Sequence, residues 1–328
     1  MPTYKLSIVI PVYNGAKTVA PLCGQLISSF REHPLQIVLI NDGSQDHSHE
    51  ACLALVAKYP AVMTYLALAK NFGEHNAVMA GLNHVSGDYA VIMDDDAQNP
   101  PEEVHKLFEA AQSGDYDVVY SYYSRKEHGF WRNLGSQFND RVANFMLDKP
   151  RGLYLSSFKC LSRFVINEII RYKGPFPYID GLALRCTRKI GRVETKHEKR
   201  KEGASGYTPK KLIKLWLNMF VNFSINPLRV SSVLGLICSG LGLALGVGII
   251  FEKIMHPDLP TGWASLMIIV IFFAGIQLLT LGMIGEYLGR LFMGSNQTPQ
   301  FVIREVHSPH TSNIASDGKN RISDAVQL

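Results

Sequence analysis

The sequence lacks several patterns that would indicate other classes of protein. Its five cysteines show no paired spacing, so no zinc site or disulfide framework is predicted, and we interpret them as reduced core residues. No G-x-G-x-x-G run follows the first apolar stretch, which argues against a dinucleotide-dependent oxidoreductase of the usual kind. The apolar run Leu6–Ile10 is short and meets Pro11 and Asn14 at once, so no cleavable signal is expected. We therefore expect the N-terminal domain to stay in the cytoplasm.

Two long stretches lack charged residues altogether. Val230–Phe251 and Trp263–Gly285 contain no Asp, Glu, Lys or Arg, and each reaches the length of about 20 residues that a membrane-spanning helix needs. Two buried helices of a soluble protein are the alternative. Only Glu252–Gly262 separates the stretches, which favours a transmembrane hairpin at 229–290 with spans at about 230–251 and 263–285.

Basic residues flank this hairpin unevenly. The short connecting loop holds one, Lys253. The others lie near the outer ends of the two spans: Lys210, Lys211, Lys214, Arg229 and Arg290. The positive-inside rule therefore places both termini in the cytoplasm.

The first 120 residues alternate short β-branched runs with amphipathic stretches, which predicts strand-helix-strand units and a mostly parallel sheet. The predicted strands are Ser7–Pro11, Gln36–Ile40, Met63–Ala67, Tyr89–Met93 and Asp117–Ser121. The predicted helices are Ala16–Phe30, Asp46–Lys58, His75–Val85 and Pro101–Ser113.

Polar residues follow four of these strands directly. Ligands bind open α/β sheets beyond the carboxyl ends of the strands, so these residues predict a binding site at that edge. They are Tyr13 and Asn14, Asn41 and Asp42, Lys70 and Asn71, and Asp94 to Asp96.

The acidic triplet Asp94, Asp95 and Asp96 carries the strongest chemical signal. Adjacent carboxylates repel one another, and Mg²⁺ or Mn²⁺ bridging a diphosphate is the natural cation to neutralise them. For three aspartates alone, a solvated acidic turn that caps the next helix is an equal alternative.

The middle of the chain is less regular and strongly basic. Between Tyr122 and Tyr207 we expect acceptor binding, with an aromatic and basic helix at Phe130–Leu147. Residues 185–214 carry a net charge of +8, against +5 for the whole chain. Beside a membrane hairpin this suits anionic lipid headgroups and phosphate; nucleic acid is the disfavoured partner, because no nucleic-acid module is recognisable.

Two further segments complete the predicted organisation. Lys210–Ile225 places its apolar residues on one side and lysines at its start, which predicts an interfacial helix at 208–228 that lays the domain on the bilayer. The segment 291–328 is expected to be a cytoplasmic tail, and its last twenty residues to be disordered.

Taken in order on successive strand ends, Ser7–Asn14, Asn41–Ser44 and the acidic triplet resemble the family-2 glycosyltransferases of GT-A fold. Lys70–Asn76 and Gly285–Arg290 resemble, within that family, the polyprenyl-phosphate glycosyltransferases. The resemblance runs from about residue 5 to residue 305. It implies an α/β GT-A catalytic domain at 1–207, with a nucleotide half at 1–121 and an acceptor half at 122–207, before the interfacial helix and the hairpin.

The resemblance also implies an activity. The chain would transfer a sugar, with inversion, from a nucleotide diphosphate sugar to polyprenyl phosphate, at the cytoplasmic face of a bacterial inner membrane and for the cell envelope. UDP-sugars are the commonest donors, Mg²⁺ or Mn²⁺ the cofactor, and related enzymes can associate as homo-oligomers through their hairpins. A processive polysaccharide synthase is disfavoured because Q-x-x-R-W and further spans are lacking; a membrane scaffold without catalysis is the alternative.

The resemblance assigns residues to the donor and the metal. Asp96 is expected to bind the metal, together with Asp94 nearer the ribose or sugar, and Asp42 to bond the base or ribose. An Asx turn with Gly43 is a compatible role for Asp42. The full donor set is Pro11, Tyr13, Asn14, Asp42, Lys70, Asp94, Asp95 and Ser205.

Phosphate binding and proton transfer are assigned in the same way. Arg200, in a run that matches H-x-x-R-x-x-G-x-S-x-Y, is expected to contact phosphate, although an ordinary surface arginine is the alternative. Gly206 replaces an expected lysine, and Leu153 an aspartate suggested as the base. Asp180 is the candidate base if one exists, and a helix cap otherwise. A lipid monophosphate, with a second pKa of about 6, needs no base.

Overall fold

The computed structural model describes residues 4–123, 153–196, parts of 231–255, 262–296 and 298–308. The predicted helices at Phe130–Leu147 and 208–228 and the last twenty residues lie outside the described residues. The chain divides into two units: Met1–Gly206 together with Pro299–Leu328, and Tyr207–Thr298.

In the described part of the first unit, eight strands form one sheet. They are β1 Leu6–Val12, β2 Leu35–Asn41, β3 Met63–Leu68, β4 Tyr89–Ile92, β5 Val118–Tyr122, β6 Lys159–Ser162, β7 Ile190–Glu194 and β8 Ile303–His307. The order is β7-β5-β6-β4-β1-β2-β3-β8, and β6 and β8 run antiparallel to their neighbours. The mostly parallel sheet is confirmed, and each of the five predicted strands matches β1 to β5 to within one residue at either end.

Four helices cover the two faces of this sheet. They are α1 Val19–Ser29, α2 Ser48–Lys58, α3 Glu74–Leu82 and α4 Pro101–Ser113, which confirms the four predictions to within three residues. Successive side chains of a strand point to opposite faces. Ile8 and Ile10 of β1 belong to a buried cluster with residues of α1, α2 and α4. Val9 lies against α3, because a Cβ added to Gly81 would stand 2.7 Å from its side chain.

The strand order creates one crevice at the carboxyl edge of the sheet. Strand β1 pairs in parallel with β2 on one side and with β4 on the other. The chain runs from β1 through β2 to β3 on one side and then crosses to β4 on the other side. Such a switch point is where open α/β sheets bind ligands. The residues after β1 and β4 border it.

Several elements were not predicted from the sequence. Strand β6, helices α5 (Arg163–Ile169) and α6 (Ile179–Cys186), and β7 lie in the segment expected to be irregular. Strand β8 lies in the segment expected to be a tail, and pairs with β3. Gln300, just before it, donates to the carbonyl oxygens of Tyr172 and Gly174 at 2.7 Å. The chain therefore returns to the sheet of the first unit after the apolar region.

The second unit is helical where it is described. Helix α7 covers Trp263–Ser295, and the described residues between 231 and 255 are helical as well. The side-chain oxygens of Ser231 and Thr280 lie 3.0 Å apart and join the two. Among the residues described, Phe272–Ser295 is the one segment long and apolar enough to cross a membrane, with a mean hydropathy of 1.3. The expected second span ended ten residues earlier, at Gly285.

Candidate active site

The turns that follow β1 and β4 lie directly against each other. The backbone N–H of Tyr13 donates to the Asp95 carboxylate. A Cβ added to Gly15 would stand 2.1 Å from Asp95 Oδ2, so any larger residue here would displace the Asp95 carboxylate. The predicted meeting of the first and fourth strand ends is thus seen in the structure.

The acidic triplet forms a tight turn. Asp96 Oδ1 accepts a hydrogen bond from the backbone N–H of Gln98 at 3.1 Å, and Ala97 between them has a φ of 56°. Ser157 Oγ donates to Asp94 Oδ2 at 3.0 Å. Asp95 Oδ2 is buried and has no hydrogen-bond partner among the described residues. The three carboxylates are therefore held in different environments.

The electrostatics of this turn favour a cation. Burial, with the charges of Glu74 and Asp96 added, raises the pKa of Asp94 to about 7. Burial and the neighbouring Asp94 and Asp96 raise the pKa of Asp95 to about 7, against the opposing Tyr13 hydrogen bond. Carboxylates whose pKa is raised by like charges are stabilised when a cation neutralises them.

The residues present fit a divalent cation shared with a ligand. In the described part of the chain, no group of three or more His, Cys, Asp or Glu side chains could enclose a metal ion. Mg²⁺ is usually bound by one or two carboxylates and by substrate phosphates, not by an all-protein cage. Asp94 and Asp96 are the carboxylates that could supply such a partial donor set.

Reciprocal hydrogen bonds lock the turn after β1 to the segment after β2. The backbone N–H of Asn14, with a φ of 56°, donates to Ser44 Oγ at 3.0 Å, and the Gln45 N–H donates to Asn14 Oδ1 at 2.9 Å. The Gly15 N–H donates to Ser48 Oγ at 2.9 Å. The turn is thus held by its backbone, and the Tyr13 side chain remains 49% exposed. Tyr13 is therefore accessible to solvent at the crevice, and its predicted contact with the donor stays a prediction.

Asp42, which follows β2, holds in place the turn between β3 and α3. Its carboxylate accepts the backbone N–H groups of Phe72 and Gly73 at 2.7 and 2.9 Å, and the residue is only 3% exposed. Burial raises the Asp42 pKa, and the two hydrogen bonds oppose that shift. The Asx turn predicted for Asp42 is therefore not formed; the neighbouring Asn41 instead accepts the Ser44 N–H, three residues on, through its Oδ1. Sequence reasoning missed the hydrogen bonds from Phe72 and Gly73 to Asp42, because these residues lie about thirty positions away in the chain.

Lys70 and Pro11 stand at the edge of the same crevice. Lys70 is exposed, and its Nζ lies 5.1 Å from the ring centroid of Phe72. Pro11 is partly buried within β1. Both placements leave their predicted donor contacts possible.

Asp180 occupies a different place from the one expected of a base. It is 6% exposed, pairs with Lys159, and accepts the Tyr120 hydroxyl at 3.0 Å. Helix α6 begins after Tyr178 and has no side-chain cap, so the capping role is wrong. A carboxylate bonded on the inside of the protein is poorly placed to remove a proton from a bound substrate.

The remaining predicted residues add little to the described site. Leu153 is buried, at 6% exposure, and is no substitute for an aspartate. Arg200 and Ser205 lie outside the described residues.

Comparison with known proteins identifies the class. A model of glycosyl transferase family 2 matches residues 7–170, which span β1 to α5 and contain the acidic turn. The crystal structure of glucosyl-3-phosphoglycerate synthase from Mycobacterium tuberculosis superposes with a TM-score of 0.50 at 17% identity, over 66% of this chain and 78% of that one. This neighbour shows the GT-A fold. The chain belongs to glycosyl transferase family 2 and is a glycosyltransferase.

Curated relatives match almost the whole chain. The undecaprenyl-phosphate 4-deoxy-4-formamido-L-arabinose transferase of Serratia proteamaculans is 31% identical over 93% of this chain and 94% of its own. The enzyme of the same name from Edwardsiella ictaluri is 32% identical over 92% and 94%. The likeness therefore includes the apolar region.

Proposed function

We propose that this chain transfers a sugar from a nucleotide diphosphate sugar, with UDP as the expected nucleotide, to polyprenyl phosphate. The observation that carries the proposal is the acidic turn at the β1–β4 crevice, where Asp94 and Asp96 would face a metal-bound diphosphate. The names of the relatives, which specify undecaprenyl phosphate as acceptor, support the lipid half of the proposal.

The proposed reaction is a direct displacement. An oxygen of the lipid phosphate attacks the anomeric carbon, and the bond from that carbon to the β-phosphate oxygen breaks with its electron pair leaving on the diphosphate. The configuration inverts. A dianionic monophosphate becomes a monoanionic diester as the nucleoside diphosphate gains one negative charge, so no proton has to move. Such a nucleophile needs positioning more than a base, which is compatible with the inward-facing Asp180.

Chain residues account for donor binding in this proposal. Tyr13, Asn14 and Pro11 line the nucleotide pocket, Asp42 holds the neighbouring turn, and Lys70 approaches the phosphates. Asp96 and Asp94 would hold Mg²⁺ or Mn²⁺, which when bound supplies Lewis-acid stabilisation of the leaving diphosphate. Arg200 and Ser205 are proposed to bind phosphate.

The proposed location is the bacterial inner membrane. The hairpin would cross it twice, with the catalytic domain and both termini in the cytoplasm, where nucleotide sugars are available. A polyprenyl acceptor keeps its tail in the bilayer, so an anchored enzyme suits it. A homo-oligomer formed through the hairpins is a further part of the proposal.

The test is transfer of radiolabel from a panel of nucleotide sugars to undecaprenyl phosphate by the purified full-length protein. We expect a labelled lipid with one donor, formed with Mg²⁺ or Mn²⁺ and lost on adding a chelator. Absence of transfer from every donor, with nucleotide binding retained, would instead support the membrane scaffold.

The raised carboxylate pKa values predict a pH dependence of donor binding. In the free protein Asp94 and Asp95 have pKa values of about 7, whereas the bound cation and donor require the ionised form. Binding therefore releases protons, and affinity rises with pH through 7, by about tenfold from pH 6 to pH 8 for each group that must ionise. Calorimetry with the active donor and Mg²⁺, in buffers of different ionisation enthalpy, counts these protons. An affinity independent of pH would contradict the assignment.

A further inference from the structure

Three carboxylates lie in or near the acidic turn besides Asp94 and Asp96, and each has a different surrounding. They are Asp180 on α6, Asp95 in the turn itself, and Glu74 at the first position of α3. Which of them can meet a ligand follows from burial and from hydrogen bonds.

Asp180 is satisfied inside the protein. In the β4–β6 register Lys159 stands opposite Ile92, two residues before Asp94, and in the β5–β6 register it stands opposite Tyr120. Lys159 is 3% exposed, and its ammonium pairs with Asp180. A buried ion pair is tolerated when both partners are bonded, as they are here.

Asp95 is similarly withdrawn. It accepts the Tyr13 backbone N–H, and Gly15 packs directly against its second oxygen. It therefore faces the turn after β1.

Glu74 differs from both because the residue is exposed to solvent. Its carboxyl is still flanked by protein, and this desolvation raises its pKa against the opposing charge of Lys159. It has no hydrogen bond or ion pair to a side chain that the structure describes. Its backbone position is fixed, since Asp42 holds the N–H groups of Phe72 and Gly73 immediately before it. The ring of His75, the next residue, lies 5.1 Å from the ring of Tyr178 just before α6, so the start of α3 lies beside the acceptor half. The charge of Glu74 also acts on Asp94, the residue assigned to the ribose or sugar of the donor. Glu74 is thus an accessible carboxylate with free acceptor oxygens, held at a defined point of the site.

The chemistry of a carboxylate decides what it can bind there. It repels a diphosphate, but it accepts strong hydrogen bonds from the hydroxyl or amino hydrogens of a sugar ring. We propose that Glu74 is a specificity-determining residue that accepts hydrogen bonds from the transferred sugar. This inference rests on the proposed function. It adds a residue that recognises the sugar of the donor and does not contact the nucleotide.

The test compares Glu74→Ala and Glu74→Asp with the wild type, as full-length proteins. Wild-type transfer is measured first, so failure of the proposed function is recognised before any variant is examined. For the active donor we expect kcat/KM to fall about 10- to 100-fold in Glu74→Ala, the equivalent of one hydrogen bond to a charged group. The preference for that donor over an epimer with the same nucleotide should fall by a similar factor.

Inhibition by the free nucleoside diphosphate separates the sugar from the nucleotide. We expect its inhibition constant to change less than about twofold in both variants, because Glu74 does not contact the nucleotide. The Glu74→Asp variant, with a shorter carboxylate, should retain an intermediate preference. An unchanged donor preference, or loss of nucleotide binding in both variants, would overturn the proposal, the second by making Glu74 a structural residue.

Discussion

Replacing Asp96 by asparagine is expected to lower sugar transfer about 100- to 1,000-fold, the loss typical when one electrostatic stabiliser is removed from an active site. Asn keeps an oxygen that accepts the Gln98 N–H, so the turn is retained and only the charge is lost. Transfer of label at saturating acceptor, with Mg²⁺ or Mn²⁺, measures the effect.

Asp115 provides the matched control for this experiment. It is an 88% exposed carboxylate that pairs with Lys189 at the surface, and its φ of 49° is one that asparagine tolerates. Asp115→Asn should leave transfer unchanged, since surface ion pairs contribute little. Equal activity of Asp96→Asn and Asp115→Asn would remove Asp96 from the metal site.

Replacing Gly43 by alanine is expected to destabilise the catalytic domain by roughly 2–5 kcal/mol and to abolish donor binding. Gly43 has a φ of 65°, and an added Cβ would stand 2.5 Å from the backbone N of Asn71. The left-handed conformation costs about 1–2 kcal/mol and overpacking about 1–3 kcal/mol more. Because the clash is with backbone, the turn that carries Lys70 must move. Thermal unfolding and nucleotide binding in detergent measure both effects.

Gly73 tests backbone strain without a close contact. Its φ of 92° and ψ of 154° lie in a region that essentially only glycine adopts, and an added Cβ would meet nothing within 4 Å. Gly73→Ala should therefore cost about 1–3 kcal/mol through backbone strain alone. It should leave the Lys70–Asn71 backbone in place and retain more donor binding than Gly43→Ala. Equal loss of donor binding in the two variants would contradict a role for the close approach of Gly43.

Local patterns explain why much of the donor side was predictable. β-branched runs and amphipathic stretches determine where β1 to β4 end, and parallel strands bring those ends to one edge. Tyr13 and the acidic triplet could therefore be placed together before the contact of Tyr13 with Asp95 was known. The acidic triplet adds three adjacent carboxylates, a pattern that favours a cation site over an ordinary polar turn.

The contacts that sequence reasoning missed are long-range. Asp42 bonds amides at positions 72 and 73, and Asp180 finds Lys159 on a strand of only four residues. Strand β8 has only two aliphatic residues, Ile303 and Val306, so its pairing with β3 depends on backbone hydrogen bonds that no periodicity reveals. The residues adjacent to Asp42, Asp180 or β8 in the sequence do not indicate which distant group each of them contacts.

Mass spectrometry of the lipid product tests the central claim most directly. Undecaprenyl phosphate, the active donor and the full-length protein are incubated with Mg²⁺ or Mn²⁺, and the lipid is extracted. Displacement at the anomeric carbon predicts a lipid heavier by one sugar residue, with its single phosphate now a diester. A lipid heavier by a sugar phosphate would mean that the diphosphate, not the anomeric carbon, is attacked, and would contradict the account.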